Sequence, residues 1–182
     1  MKKTILTFGL ISGALSSLMM VTTVPFAHRI GFDKALVVGY TTIVLSFLLV
    51  FFGIRSYRDK AGNGQITFSK AFAVGICITL ISCIFYVVTW EIIYFNFMPD
   101  FMDNYGAHMI EKLKASGASA AAIQAQLQQQ KHFKEMYENP FFNAAMTFIE
   151  PFPVGLVITL VSAAVLRRKP QSQPAQSPLP AS

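Results

Sequence analysis

Charged side chains are scarce in this chain, at 13% of its residues against 53% apolar ones. A soluble domain carries about 25% charged residues. The stretches 5–24, 35–54 and 71–90 hold no charged residue at all, and the stretch 141–166 holds only Glu150. Such long uncharged runs exclude an ordinary soluble domain.

Cysteine is also scarce, with only Cys77 and Cys83 in the whole chain. Six residues of helix turn two side chains about 240° apart. This angle excludes a disulfide between the two thiols. We interpret both cysteines as packing residues of the third apolar stretch.

The four apolar stretches are long enough to cross a bilayer. A helix rises about 1.5 Å per residue, so about 20 residues match a hydrocarbon core of roughly 30 Å. The first stretch exceeds the 7–15 apolar residues of a secretory signal, so we expect it to remain as a span. The sequence predicts an all-α membrane protein whose domain, residues 1–169, has transmembrane helices at about 5–24, 35–54, 71–97 and 141–166. The Pro-, Gln- and Ser-rich segment 170–182 predicts a disordered cytoplasmic tail.

Basic residues cluster on alternate sides of the spans. The N-terminus, the segment between spans two and three, and the segment after span four hold nine of the 15 basic residues and one acid, Asp59. The other two connections hold six basic residues and six acids. Because basic flanks stay on the cytoplasmic side, both termini are predicted to be cytoplasmic. The residues predicted to contact anionic lipid head groups are Arg55, Arg58, Lys60, Lys70, Arg167, Arg168 and Lys169.

Small residues follow a helical spacing in two spans. Gly9 and Gly13 lie four residues apart in the first span, and Ala71, Gly75 and Thr79 repeat the spacing in the third. This pattern lets helix backbones approach closely. We expect packing within the chain to use both faces, with dimerisation as the alternative.

Residues 100–140, between spans three and four, predict an extracytoplasmic helical hairpin. Asp100 or Asp103 can cap a helix to about Ala115, and Ser116-Gly117 breaks it. Ser119 then caps a helix over 120–138, which Asn139-Pro140 ends. The first helix carries a candidate partner face, for which packing onto the bundle is the alternative: Met102, Tyr105, Met109 and Leu113.

Glu91 and Glu150 are the two charged residues within the predicted spans. At 1.5 Å per residue from the cytoplasmic ends, they lie roughly 30 and 24 Å along their helices, in the outer third of the bilayer. Intramembrane carboxylates usually face the bundle interior and mark ion or proton pathways. A cation or proton site made by the two carboxylates is one hypothesis. We favour a structural role, with Glu91 at the membrane interface and Glu150 bonded to a neighbouring span or to the hairpin. His28 and Arg29 are candidate partners for either carboxylate.

Three blocks of the sequence resemble a known bacterial membrane family. They are Phe-Gly-Ile-Arg-Ser-Tyr-Arg-Asp-Lys at 52–60 with Gly-Gln-Ile-Thr-Phe-Ser-Lys-Ala-Phe at 64–72, Lys-Glu-Met-Tyr-Glu-Asn-Pro-Phe-Phe at 134–142, and the segment 146–169. In these blocks the chain resembles the family called domain of unknown function 4199. The resemblance implies four spans, an extracytoplasmic helical segment and a bacterial cytoplasmic membrane, and it supplies no activity.

The sequence gives no sign of catalytic chemistry. The glycines at 62 and 64 lack the Gly-Lys-Ser/Thr ending of a phosphate loop, and His28, His108 and His132 follow no metal-ligand spacing. No nucleophile–base set and no nucleic-acid module stand out. We therefore expect a non-enzymatic accessory or scaffold subunit without cofactor or metal. It would contact anionic lipid and a membrane-protein partner or a second copy of itself. A small transporter or channel-like protein using Glu91 and Glu150 is the alternative, and an enzyme acting on lipid-linked substrates is a distant third.

Overall fold

The computed structural model describes residues 1–168, except for the side chain of His28. Lys169 and the predicted tail at 170–182 lie outside the described residues. The described chain forms eight α-helices and one short 3-10 helix, Val24–Phe26. The α-helices are α1 Lys2–Thr23, α2 Ala27–Ile30, α3 Phe32–Ala61, α4 Phe68–Phe97, α5 Phe101–Ala115, α6 Ala120–Tyr137, α7 Pro140–Ile149 and α8 Phe152–Leu166.

Four of the helical segments are long and apolar enough to cross a membrane: Lys2–Phe26, Phe32–Ala61, Phe68–Phe97 and Pro140–Leu166. The prediction of an all-helical protein with four helical segments able to span a membrane is therefore confirmed for the described residues. The bounds differ most at α3, which continues to Ala61 and so includes Arg55, Arg58 and Lys60. These residues were predicted to lie in a loop. The exposed Arg55–Asp59 ion pair, four residues apart, contributes to the last turns of α3. The helix stops before Asn63 and Gly64, whose φ angles are +47° and +80°.

Side-chain caps begin several helices, and the cap at Ser119 is one that the sequence predicts. Thr67 Oγ1 accepts a hydrogen bond from the backbone N–H of Lys70, and Ser119 Oγ accepts one from Ala122. Asn139 Oδ1 accepts from the backbone N–H of Phe141, directly after Pro140 in the first turn of α7. Asp100 stands at the N-cap position of α5, but its side chain makes no capping hydrogen bond there.

The small-residue faces pack helices together within the chain, as expected. Gly9 and Gly13 of α1 lie against Ile81 and Phe85 of α4, so the two helices run parallel. A Cβ added at Gly75 of α4 would come within 2.8 Å of Thr159 in α8 and 2.9 Å of Ile54 in α3. Glycine at these positions lets the backbones approach closely.

The bundle has two halves of different character. In the half built from residues 5–13, 46–57, 71–82 and 155–166, the side chains of Val50, Ile54, Val74 and Ile78 are fully buried. Thr79 and Thr159 hydroxyls hydrogen bond there at 3.0 Å. We call this the packed half. The remainder of the described bundle, residues 16–43 and 86–150, is called the cavity half.

The fourth span, predicted over 141–166, consists of two helices. α7 ends at Ile149 and α8 begins at Phe152, with Glu150 and Pro151 between them. Proline has no backbone N–H to donate and its ring clashes with the preceding turn. The break places the Glu150 carboxyl group at the junction of the two helices.

Helices α5 and α6 pack against each other and cover one end of the bundle. Lys134 of α6 donates to Asp103 of α5 at 2.6 Å, and this hydrogen bond raises the pKa of Lys134. Lys112 of α5 donates to Asp33, at the start of α3, at 2.8 Å. Next to this pair, the Phe32 ring makes an edge contact with the Tyr105 ring at 5.8 Å. Both polar and aromatic contacts thus hold the helical pair over the bundle.

Candidate functional site

A cavity of about 350 Å³ lies beneath α5 and α6, in the cavity half. It is lined by residues from the ends of α1 and α4, the first turns of α3, both covering helices, α7 and Glu150. This volume falls in the range of sites for small molecules, about 300–1,000 Å³. The end of the bundle opposite the basic residues therefore holds a pocket.

Seven aromatic residues contribute to the wall of the cavity, beside aliphatic and hydroxyl side chains. The rings stand close to one another: Trp90 and Phe101 are 5.0 Å apart between centroids and cross at 81°, and Phe101 stacks with Tyr105 at 6.3 Å. The faces of such rings carry negative electrostatic potential. The seven lining aromatic residues are Phe32, Tyr86, Trp90, Phe101, Tyr105, Phe133 and Tyr137.

Glu150 supplies the one carboxyl group of the described lining. Its Oε2 accepts a hydrogen bond of 3.1 Å from the Tyr86 hydroxyl. Among the described residues that line the cavity, none is a lysine, arginine or histidine. A carboxylate without a cationic neighbour in an apolar site is unstable unless a proton or a cation compensates it. The geometry therefore provides a place for one positive charge.

A short polar chain crosses the wall above Glu150. Trp90 Nε1 donates to the Tyr137 hydroxyl at 3.0 Å, and that oxygen lies 3.5 Å from Thr147 Oγ1. Thr147 in turn donates to Asn143 Oδ1 at 3.2 Å. Burial raises the pKa of Tyr137, so its hydroxyl keeps its proton. These neutral groups fix the orientation of the Trp90 ring.

Glu91 does not line the cavity. It lies five residues after Tyr86 on α4, which turns the two side chains about 140° apart. Its Oε1 is buried and has no hydrogen-bond partner among the described residues. The structure thus separates the two carboxylates that the first hypothesis placed in one site. Glu150 lines the cavity with Tyr86, and Glu91 does not. His28 and Arg29 were alternative partners; Arg29 lies over the Phe26 ring, 5.9 Å from its centroid, and the His28 side chain is outside the described part.

The candidate partner face of α5 is half-buried at all four positions. Met102 and Tyr105 line the cavity. Met102 also packs against the cluster that contains Trp90 and Tyr94. The face is therefore directed toward the bundle at its first two positions, and whether the face binds a partner remains a prediction.

The six described residues among those predicted to contact lipid lie at the opposite end of the bundle. They share this end because α4 begins there and α3 and α8 end there. Arg167 and Arg168 are exposed, and Arg168 exchanges two backbone hydrogen bonds with Ile66, of 2.9 and 3.1 Å. Arg58 is largely covered, with its Nε 2.7 Å from Asp59. Arg55, Lys60 and Lys70 are exposed, and Lys169 lies outside the described residues.

Sequence reasoning missed Tyr86 and the aromatic wall. A signal was present, because three helices carry aromatic residues four positions apart: 86 and 90, 101 and 105, and 133 and 137. Residues at this spacing lie on one face of a helix. Which faces would meet was not visible, since that depends on how α5 and α6 fold back on the bundle.

The comparison with known families agrees with this architecture. The model of the family described as "Protein of unknown function (DUF4199)" matches residues 7–168. The chain belongs to the DUF4199 family. The description of the DUF4199 family names no activity, so membership bears on the architecture of the chain and leaves its function to the site. No curated protein and no solved structure matches the chain.

Proposed function

We propose that this DUF4199 protein is a small transporter or channel-like protein of a bacterial cytoplasmic membrane, with a cation or proton site at Glu150. One observation carries the proposal: the Glu150 carboxyl group lines a cavity within the bundle, with a neutral Tyr86 hydroxyl as its hydrogen-bond partner. Intramembrane carboxylates in such positions hold the ions or protons that a membrane protein moves. The proposal involves no enzymatic reaction, cofactor or nucleic acid.

A second, smaller cavity lies beyond Tyr86. It has a volume of about 10 Å³, and four serines contribute to its wall together with Tyr86 and Pro151: Ser12, Ser16, Ser46 and Ser82. The hydroxyls of Ser12, Ser16 and Ser82 donate to backbone carbonyls. Ser46 has a buried Oγ without a partner among the described residues, so it is the hydroxyl at this point that is free to pass a proton.

Flux measurements in liposomes test the proposal. The purified protein is reconstituted and proton and potassium flux are followed with a dye inside the vesicles. We expect flux from the natural chain, loss of flux in Glu150→Gln, and normal flux in Glu91→Gln. The second variant is a matched control, because it neutralises an intramembrane carboxylate that does not line the cavity. Absence of flux from the natural chain, or full flux from Glu150→Gln, would overturn the proposal.

The orientation completes the proposal. Both termini would face the cytoplasm, with the basic end of the bundle among anionic head groups and α5 and α6 as an extracytoplasmic hairpin. The exposure of Arg55, Lys60 and Lys70 at one end supports this arrangement. A reporter enzyme that is active only in the cytoplasm should work at both termini and fail when inserted after Gly117. The opposite pattern would reverse the orientation.

An accessory or scaffold role is the second candidate, and helix α6 favours it. None of the 18 residues of α6 is buried. A long polar helix with so much free surface suits contact with a membrane-protein partner or a second copy of the chain. Cross-linking in native membranes, followed by mass spectrometry, should then recover a stoichiometric partner that changes of exposed α6 residues abolish. Under the transport proposal, the same changes leave flux intact.

A further inference from the structure

We infer that the cavity binds an organic ammonium ion: a primary or quaternary ammonium group carried on an apolar body. The inference rests on the proposed role of Glu150 as the charge-binding group and names the class of ligand. It is independent of whether the ligand is then transported.

The chemistry of the wall distinguishes this ligand from a bare metal ion. A divalent metal ion is held by several carboxylate or carbonyl oxygens at short distance. The described lining offers one carboxyl group, seven aromatic rings and otherwise only the hydroxyls of serine, threonine and tyrosine as side-chain oxygens. Aromatic faces attract ammonium groups, and rings around a quaternary ammonium form the usual cage for such ligands. Trp90 and Phe101 cross at 81° with centroids 5.0 Å apart, so they present two differently oriented ring surfaces at one corner of the cavity.

The size of the cavity fits an ammonium group with a short chain. At about 350 Å³ it lies near the lower limit of sites for small molecules. A hydrated potassium ion would leave the apolar wall in contact with water. An alkyl or aryl body would cover that wall, while its ammonium group neutralises Glu150. The carboxyl group of the lining then faces the ammonium group, and the apolar wall faces the apolar body.

The cavity also has access from the side of the bundle. Leu36 of α3 and Met146 of α7 both line it, and they remain 45% and 37% exposed. Both lie on segments that are long and apolar enough to span the membrane, so this edge faces lipid. An amphiphile dissolved in the bilayer, or the ethanolamine or choline head group of a lipid, therefore has a path to Glu150.

The single tryptophan gives a direct assay, because Trp90 is the only one in the chain and it lines the cavity. The protein in dodecyl maltoside, a detergent without an ammonium group, is titrated with hexyltrimethylammonium while Trp90 emission is recorded. We expect a saturable change, absent with hexanoate or potassium chloride at the same concentrations. A similar response to hexanoate would overturn the inference, since it would show that charge is not recognised.

Variants locate the site. Glu150→Gln should weaken binding of hexyltrimethylammonium about tenfold or more, because the charge-assisted contact is lost. Phe101→Leu keeps the apolar wall but removes a ring, and it should weaken binding by about 3- to 30-fold. Glu91→Gln should bind as the natural chain does. Unchanged affinity in both Glu150→Gln and Phe101→Leu would overturn the inference, and the Phe101 variant preserves the test should the Glu150 variant not fold.

Bilayers of defined composition assign the source of the ligand. Nanodiscs of a neutral glucosyl diacylglycerol contain no ammonium group, whereas phosphatidylethanolamine nanodiscs of the same net charge do. If a lipid head group occupies the cavity, hexyltrimethylammonium should bind more weakly in the phosphatidylethanolamine nanodiscs. Equal affinity in both kinds of nanodisc assigns the site to free amphiphiles. Saturable ammonium binding without ion flux would uphold this inference while the transport proposal fails. Flux that depends on Glu150, without ammonium binding, would uphold the transport proposal while this inference fails.

Discussion

The packed half and the cavity half differ in the size of the side chains at which their helices meet. In the packed half, glycine and threonine bring α3, α4 and α8 so close that a single Cβ added at Gly75 would collide with two helices. In the cavity half, aromatic rings separate the helices around the cavity, and a Cβ added at Gly39 would meet nothing within 4 Å. Residue size at the contact therefore decides which half is core and which is site.

A pair of glycine variants tests this difference most strongly. Gly75→Ala should lower the free energy of unfolding by about 1–3 kcal/mol, because the new methyl group overpacks against Thr159 and Ile54. Gly39→Ala, on α3, should leave it unchanged or raise it by up to about 1 kcal/mol, as alanine does in a helix. Unfolding by sodium dodecyl sulfate in mixed micelles, followed by circular dichroism, gives both values. Equal losses in the two variants would show that the cavity half is packed as tightly as the other.

Much of the fold could be predicted from hydropathy and capping residues. The uncharged runs gave the four spans, and Ser119, Asn139 and Pro140 gave helix ends that the structure also has. The extension of α3 to Ala61 was missed, because a helix ends where its backbone hydrogen bonds end and not where the lipid does. Glu150 stood out in the sequence because it is the one charged residue of its apolar stretch. Its partner Tyr86 was not, since 64 residues separate them and only the packing of α4 on α7 and α8 brings them together.

The polar chain above Glu150 tests whether the cavity half depends on hydrogen bonds rather than close packing. Tyr137→Phe removes the acceptor of the Trp90 indole N–H. The unfolding free energy should fall by about 1 kcal/mol, since a buried donor is left without a partner. The emission of Trp90 should also shift. Tyr40→Phe, at a residue that is 48% exposed on α3, is the matched control and should change neither quantity. If the Trp90 emission of Tyr137→Phe equals that of the natural chain, the indole N–H has found another hydrogen-bond acceptor.

The smallest effect is expected where α5 meets α3, at the exposed pair of Lys112 and Asp33. Lys112→Ala should speed amide hydrogen exchange in α5 by no more than about fivefold at low salt, because exposed ion pairs contribute little. The Phe32 and Tyr105 rings, 5.8 Å apart, should keep the helix in place. The difference from the natural chain should vanish in 1 M salt, where charges are screened beyond about 3 Å. Lys114→Ala changes a neighbouring exposed lysine that forms no ion pair among the described residues, and it should have no effect. Much faster exchange in Lys112→Ala that persists in high salt would mean that Lys112 and Asp33, and not the aromatic contact, hold α5 over the cavity.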